Sequence, residues 1–434
     1  MSSCRQKLVS LILSQAVRVN GELIDTAEPV FDILGSRLGE AGVQACDVVV
    51  LSGLQGRDLV IATMAVWRLD AVPMPSSESS TVHIVRDACR ITKDLTVIPG
   101  SPSCRTDGLE TTAVLHTSSG TTDQPKLAKR SVQSVLLEAE GYRAGLSLVP
   151  DDCVAVPIPL VHSLGWGVAT GALISGCSID VAPFVRVNTL ARKVDSGAVS
   201  VLALTAPLAR LLVATQPRGG TKLRAALVGA GPVTDELNDA FRARFGQPLL
   251  RGYGSSETGG TLFGTSGIGR PIPGVEIVQP SPGECGELIL RLAAPVEGYL
   301  DGNKGPSRQW STGDVVQHGL DGVVYFVERT RGPLRLNGRF IGADVVEKAL
   351  RSVSGVEDVF FFVLPRLETP EIEDFYAVVE GDVSEEVVVK GLTGCVSELP
   401  VPRVFRCRRM PRNMIGKPDR DAMIDMVRRG NGCA

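Results

Sequence analysis

The sequence predicts an α/β protein: a large N-terminal α/β domain with parallel sheets and a small β-subdomain, followed by a small α+β C-terminal domain. Three observations carry this. Valine-rich apolar runs alternate with amphipathic helical patterns between Val30 and Phe245, the signature of βαβ units. From about Gly274 the character shifts to short strands. Beyond Arg335 a second, compact group of helix and strand signals begins.

The elements follow in order. Val30–Leu38 is an amphipathic helix, Asp47–Ser52 a strand, Arg57–Leu69 a helix, and strands lie near Leu95–Ile98 and over Thr112–His116. The alternation continues with helix Ser131–Ala144, strand Cys153–Ile158, helix Thr189–Ser196, strand Val199–Thr205, helix Pro207–Thr215, strand Ala225–Val228 and helix Asp235–Phe245. Short strands follow at Val275–Gln279, Gly286–Leu292 and Val323–Phe326. The C-terminal part reads as helix Ala343–Ser352, strands Val356–Leu364 and Phe375–Glu380, helix Glu385–Cys395 and helix Pro418–Arg429. Gly332–Pro333 is the joint, so the domains are 1–330 and 331–434.

Composition narrows the function. The chain has 434 residues, 44% hydrophobic and 21% charged, so it is globular and not disordered. A net charge of −3 gives no whole-protein argument for nucleic acid or an anionic membrane surface. Ten cysteines and four histidines are scattered, with no C-x-x-C pair, so neither a zinc site nor a disulfide framework is expected, and a cytoplasmic setting is. The N-terminus lacks a cleavable signal layout. The stretch Val154–Ile179 is uncharged but holds Pro157, Pro159 and four glycines, and reads as buried core and loop.

The segment His116–Lys126 is the densest chemical signal. Thr117, Ser118, Ser119, Thr121 and Thr122 surround Gly120, and Lys126 follows. Hydroxyls and backbone N–H groups donate, glycine permits close approach, and lysine adds charge, so such a loop after a strand and before a helix suits a phosphate. Gly229–Ala230–Gly231 gives a flat ligand room against the backbone. Gly252–Tyr253–Gly254–Ser255–Ser256–Glu257 offers an aromatic face and a hard carboxylate suited to Mg²⁺. Thr312–Gly313–Asp314 offers an acceptor for a ribose diol, and Lys417 sits in a Gly/Pro turn near the C-terminus. Singly, each is also an ordinary turn or surface loop.

In this order and spacing the clusters resemble the adenylate-forming superfamily of acyl- and aryl-CoA ligases, luciferases and peptide-synthetase adenylation domains. Ser118–Lys126 resembles its Ser/Thr–Ser–Gly–Thr–Thr–Gly–x–Pro–Lys loop, and Gly252–Glu257 its Tyr–Gly–x–Thr–Glu. Thr312–Asp314 resembles Thr–Gly–Asp, Met410–Arg420 resembles Pro–x–x–x–x–Gly–Lys–x–x–Arg, and Gly286–Leu288 its Gly–Glu–Leu strand. The resemblance covers about Val30 to Arg420.

The resemblance implies roles by position. Ser118, Ser119, Gly120, Thr121, Thr122 and Lys126 hold the β- and γ-phosphates of ATP, and Thr121 belongs to the catalytic loop. Glu257 binds Mg²⁺, with Ser256 in place of the family's threonine. Gly229, Ala230, Gly231, Gly252 and Tyr253 form the adenine slot. Asp314 accepts from the ribose, assisted by Arg329. Lys417, on a C-terminal domain that rotates after adenylation, bridges the carboxylate and the α-phosphate. The implied reaction turns a small carboxylic acid into acyl-AMP and pyrophosphate. The acyl group then passes to the thiol of CoA or of a carrier protein's phosphopantetheine. An amine acceptor, an amino-acid substrate and a catalytically weak nucleotide-binding protein are the other options.

The acid pocket is expected after strand Cys153–Ile158. Pro159–Trp166 looks like the family's Phe–His–x–x–Gly element, with His162 at the mouth. No acidic residue lies between Val154 and Ile179 to pair with an α-ammonium, which favours an acyl or aryl acid over an amino acid. Asp123 and Leu127 stand where glycines are usual, Arg331 takes the hinge position, Arg335–Gly338 replaces Lys–x–x–Gly, and the segment before Ser118 is short.

Overall fold

The alternation in the sequence folds around a nine-stranded sheet. From one edge its strands are Arg270–Pro271, Gly259–Gly264, Leu249–Ser255, Ala225–Gly229, Val201–Thr205, Cys153–Ala155, Ser178–Asp180, Arg18–Val19 and Glu22–Leu23. Pairing from Leu249–Ser255 through Arg18–Val19 is parallel, and the outer strands are antiparallel. This is a computed structural model, and it describes residues 4–24, 29–77, 85, 87–101, 108–118, 126–181, 186–216, 220–231, 233–302, 304–329, 334–337, 339–341, 343–366, 368–395, 401–411 and 420–430.

The described residues divide into two compact units, one running to 329 and one from 334 onward. The first unit also holds a four-stranded sheet of Val72–Ser76, Val48–Ser52, Cys89–Ile91 and Val97–Ile98. A two-stranded ribbon pairs Thr112–Ser118 with Lys126–Ser131. A four-stranded antiparallel sheet joins Val275–Gln279, Cys285–Val296, Ser307–His318 and Val324–Arg329. The second unit packs helices Ala343–Arg351, Glu385–Cys395 and Arg420–Arg428 with a sheet of Val356–Pro365, Glu373–Gly381 and Arg403–Cys407.

Local signals explain why many bounds coincide with the sequence reading. Helix Asp235–Phe245 starts where the Thr234 hydroxyl accepts from Leu237 N–H. Asp235 and Glu236 face its positive end, Arg242 and Arg244 its negative end, and left-handed Gly246 closes it.

Three readings change. After the phosphate-loop segment comes strand Lys126–Ser131, and the helix begins only at Val132. The Thr312–Asp314 stretch lies inside strand Ser307–His318 and is not a free turn. Within Val154–Ile179, taken as core and loop, residues Ser163–Ile174 form a buried helix that is apolar on nearly every side. Its glycines hide it from a propensity reading but let it pack closely. A Cβ on Gly167 would lie 2.6 Å from Glu138 Oε1, and one on Gly171 would lie 3.0 Å from the Tyr142 ring, both on helix Val132–Gly145.

Candidate active site

Two of the motifs, Gly229–Gly231 and Gly252–Tyr253, lie at the carboxyl ends of parallel strands, where ligands of open α/β sheets bind. Val228 pairs with Arg251, so Gly229–Ala230–Gly231 and Gly252–Tyr253 continue side by side from the same sheet edge. Ala230 takes a left-handed backbone, φ 57°, as the chain leaves its strand. Such a conformation is uncommon for a residue other than glycine.

Tyr253 is tied to Asp314. Its hydroxyl donates to Asp314 Oδ2 at 2.5 Å, and Asp314 is 3% exposed. A bulge aims the aspartate. Ser311 faces Ile289 and Val315 faces Glu287, which leaves three residues opposite Leu288 alone. The Thr312 hydroxyl donates to Leu288 O at 2.9 Å and accepts from Asp314 N–H at 3.2 Å. Gly313, φ 75°, makes the turn that a side chain would strain. Arg329 is the backbone partner of Asp314, and its side chain lies outside the described residues.

The phosphate-loop ends are held by register: Ser118 pairs directly with Lys126 across the ribbon. Ser119, Gly120, Thr121 and Thr122 between them lie outside the described residues, as do Asp123 and Lys417. Lys126 Nζ lies 5.3 Å from the centre of the Tyr299 ring. The Tyr299 hydroxyl donates to Glu257 Oε1 at 2.8 Å. Burial, followed by the charge of Glu257 and the hydrogen bond to it, raises the phenol above its usual range, so it stays a donor. Lys126, Glu257 and Ser118 therefore converge on one side chain that sequence reasoning missed. Its only local mark is a Gly298–Tyr299 step after a long strand, in a chain with five tyrosines.

Ser256 donates to the Ser163 hydroxyl at 3.5 Å, which sets it beside the start of helix Ser163–Ile174. His162 is the exposed N-cap of that helix. Trp166 is core: it is 3% exposed and meets His116 and Trp67 edge-on, at 5.2 and 5.9 Å between ring centres. His116 is 1% exposed, and its pKa falls to about 3 through burial first, then the charges of Arg130 and His162.

Among the described residues no group of three or more His, Cys, Asp or Glu gathers. The donor chemistry of Glu257 still fits Mg²⁺, which commonly takes one or two carboxylates and completes its shell with water and substrate phosphates. Among the described residues no helix is long and apolar enough to cross a membrane.

Residues 91–300 match the family profile described as AMP-binding enzyme. The chain thus carries an AMP-binding domain, in line with its resemblance to the adenylate-forming superfamily. Its relatives are named as ligases. It is 22% identical over 335 residues to a 2-succinylbenzoate–CoA ligase of Enterococcus faecalis, a match spanning 71% of this chain and 68% of the other. It is 28% identical over 270 residues to the medium/long-chain-fatty-acid–CoA ligase FadD17 of Mycobacterium tuberculosis, spanning 57% of this chain and 53% of the other. Among solved structures, the amide bond synthetase McbA of Marinactinospora thermotolerans superposes with a TM-score of 0.77 at 20% identity, covering 97% of this chain and 99% of that one. A double mutant of the o-succinylbenzoate CoA synthetase of Bacillus subtilis gives 0.79 at 18% identity, covering 98% of both. The large N-terminal and small C-terminal parts of this chain match that fold.

Proposed function

We propose that this chain uses ATP to activate an acyl or aryl carboxylic acid as acyl-AMP, and then passes the acyl group to the thiol of CoA. The observation that carries this reading is the convergence of Lys126 and Glu257, 131 positions apart (257 minus 126), on one tyrosine at the phosphate end, with Tyr253 and Asp314 joined at the nucleoside end.

Each group then has a task. Gly229, Ala230, Gly231, Gly252 and Tyr253 receive the adenine. Asp314, already a hydrogen-bond acceptor, takes a ribose hydroxyl. Ser118 to Thr122 and Lys126 grip the β- and γ-phosphates, and Glu257 and the phosphate oxygens would hold Mg²⁺. When bound, Mg²⁺ supplies charge neutralisation on the polyphosphate. His162 and the helix end at Ser163 meet the acid carboxylate, and Lys417 bridges it to the α-phosphate. A carboxylate oxygen attacks the α-phosphorus in line while the bond to pyrophosphate breaks. A thiol then attacks the acyl carbon, and AMP departs. No covalent enzyme intermediate is needed: alignment and charge placement do the catalysis.

The test is acid-dependent ATP–pyrophosphate exchange across aryl, branched acyl, fatty and amino acids. Exchange with an aryl or acyl acid is expected. Silence with every acid rejects the proposal, and exchange only with an α-amino acid rejects the pocket argument. Offering CoA, a phosphopantetheinylated carrier protein and simple amines to the loaded enzyme then identifies the acceptor. Replacing Lys417 by alanine should lower acyl-AMP formation by about 10²–10³.

A further inference from the structure

Tyr299 stands between Lys126 and Glu257, and both of its ends are in use. The hydroxyl donates to Glu257 Oε1 at 2.8 Å, and the ring lies under the Lys126 ammonium at 5.3 Å. The Ser118 side chain hydrogen-bonds the phenol as well. The backbone around Tyr299 is stitched to the strand that Lys126 opens. Lys129 N–H donates to Gly298 O at 2.9 Å, Leu300 N–H donates to Leu127 O at 2.8 Å, and Ala128 bridges Tyr299 itself. Next to it, the buried Glu297 accepts from the hydroxyls of Thr111 and Thr112. The ring is therefore fixed before any ligand arrives.

We infer that Tyr299 is a positioning residue that couples the phosphate loop to the metal-binding carboxylate. Its hydroxyl orients Glu257 and occupies Oε1, which leaves Oε2 for a cation, and its ring seats the Lys126 ammonium for phosphate. This rests on the activity proposed above. The two tasks are chemically separable, because phenylalanine keeps the ring and loses only the hydroxyl.

Calorimetric titration of ATP into the full-length protein over a Mg²⁺ series reads both tasks without turnover. Tyr299→Phe should raise the Mg²⁺ concentration for half-maximal ATP binding about tenfold, the effect of losing one hydrogen bond to a charged group. Affinity at saturating Mg²⁺ should stay within about twofold, because the ring contact remains. Tyr299→Leu should show the same Mg²⁺ shift plus an ATP affinity loss of about three- to fivefold at saturation. In a Glu257→Gln background Tyr299→Phe should add less than about a twofold shift, because its effect runs through that carboxylate. A Tyr299→Phe protein with the wild-type Mg²⁺ midpoint overturns the inference alone, as does an equal shift in both backgrounds. A wild-type protein that binds no ATP at any Mg²⁺ concentration overturns the proposed activity and this inference with it.

Discussion

Lys126 and Arg130 lie near opposite ends of one six-residue strand. Both are linked, with a tyrosine and a glutamate, to the hairpin that carries Tyr253 to Glu257. Lys126 lies over Tyr299, which donates to Glu257. Arg130 pairs with Glu138 at 3.0 Å, and Glu138 also accepts from the Tyr142 hydroxyl at 3.1 Å and from Gly260 N–H at 2.8 Å. The difference is burial. Arg130 and Glu138 are 1% and 3% exposed in their side chains, whereas Lys126, Glu257 and Tyr299 are all partly open. The sealed network spends its charges on each other and fixes the frame of the hairpin. The open one holds its cation against an aromatic face, so the charge stays accessible to solvent, as the proposed phosphate contact requires.

The comparison breaks most visibly at Arg130. Arg130→Met leaves Glu138 buried without its cation and should cost about 3–5 kcal/mol in urea unfolding. Replacing both by methionine should recover much of that loss. Unchanged stability in the single variant would mean that the sealed network does not hold the frame.

Glu257→Gln should do the opposite. Unfolding free energy should stay within about 0.5 kcal/mol, while acid-dependent pyrophosphate exchange falls by about 10²-fold. If it unfolds the protein and spares exchange, the two networks have been assigned the wrong way round.

A third test uses His116, a buried polar group two residues before Ser118. Its folded pKa of about 3 lies below the ordinary 6.5, so between those values the unfolded chain binds the extra proton. Its contribution is fully present above about pH 6.5 and is lost as pH falls towards 3, at most about 1.4 kcal/mol per pH unit. His116→Met should flatten that acid limb in pH-dependent chemical unfolding. An unchanged limb would show that His116 carries none of it.

The smallest expected effect is at the nucleoside end. Tyr253→Phe removes the donor to Asp314 and should raise the KM for ATP a few-fold, with about 1–2 kcal/mol lost in stability. A kcat loss with unchanged KM would move Tyr253 out of the nucleotide slot.

Three of the five tyrosines thus serve carboxylates: Tyr142 to Glu138, Tyr253 to Asp314 and Tyr299 to Glu257. Only Tyr253 was legible, because it sits inside a local motif. Tyr299 meets Glu257 across 42 positions and Lys126 across 173 (299 minus 126), and no spacing rule reaches that far. Asp314 was legible as an acceptor, but its aim was not, since the bulge depends on Leu288 in the neighbouring strand. Helix Ser163–Ile174 was missed because three glycines and an all-round apolar surface give no helical stripe. Helix Asp235–Phe245 was read to the residue because cap, charges and glycine stop are all local.

The sequence by itself determined the α/β class, most elements of both units, and the ordered motifs that resemble those of the adenylate-forming superfamily. These are short-range properties, set by periodicity, capping and loop chemistry over about ten residues. Tertiary structure alone decided which charges are sealed and which stay open. Lys126 and Arg130 lie four positions apart on the same strand, and only the packing of helix Val132–Gly145 and the segment Gly298–Leu300 against it separates them. Desolvation fixes the value of a charge, and it is set by what the rest of the chain brings alongside.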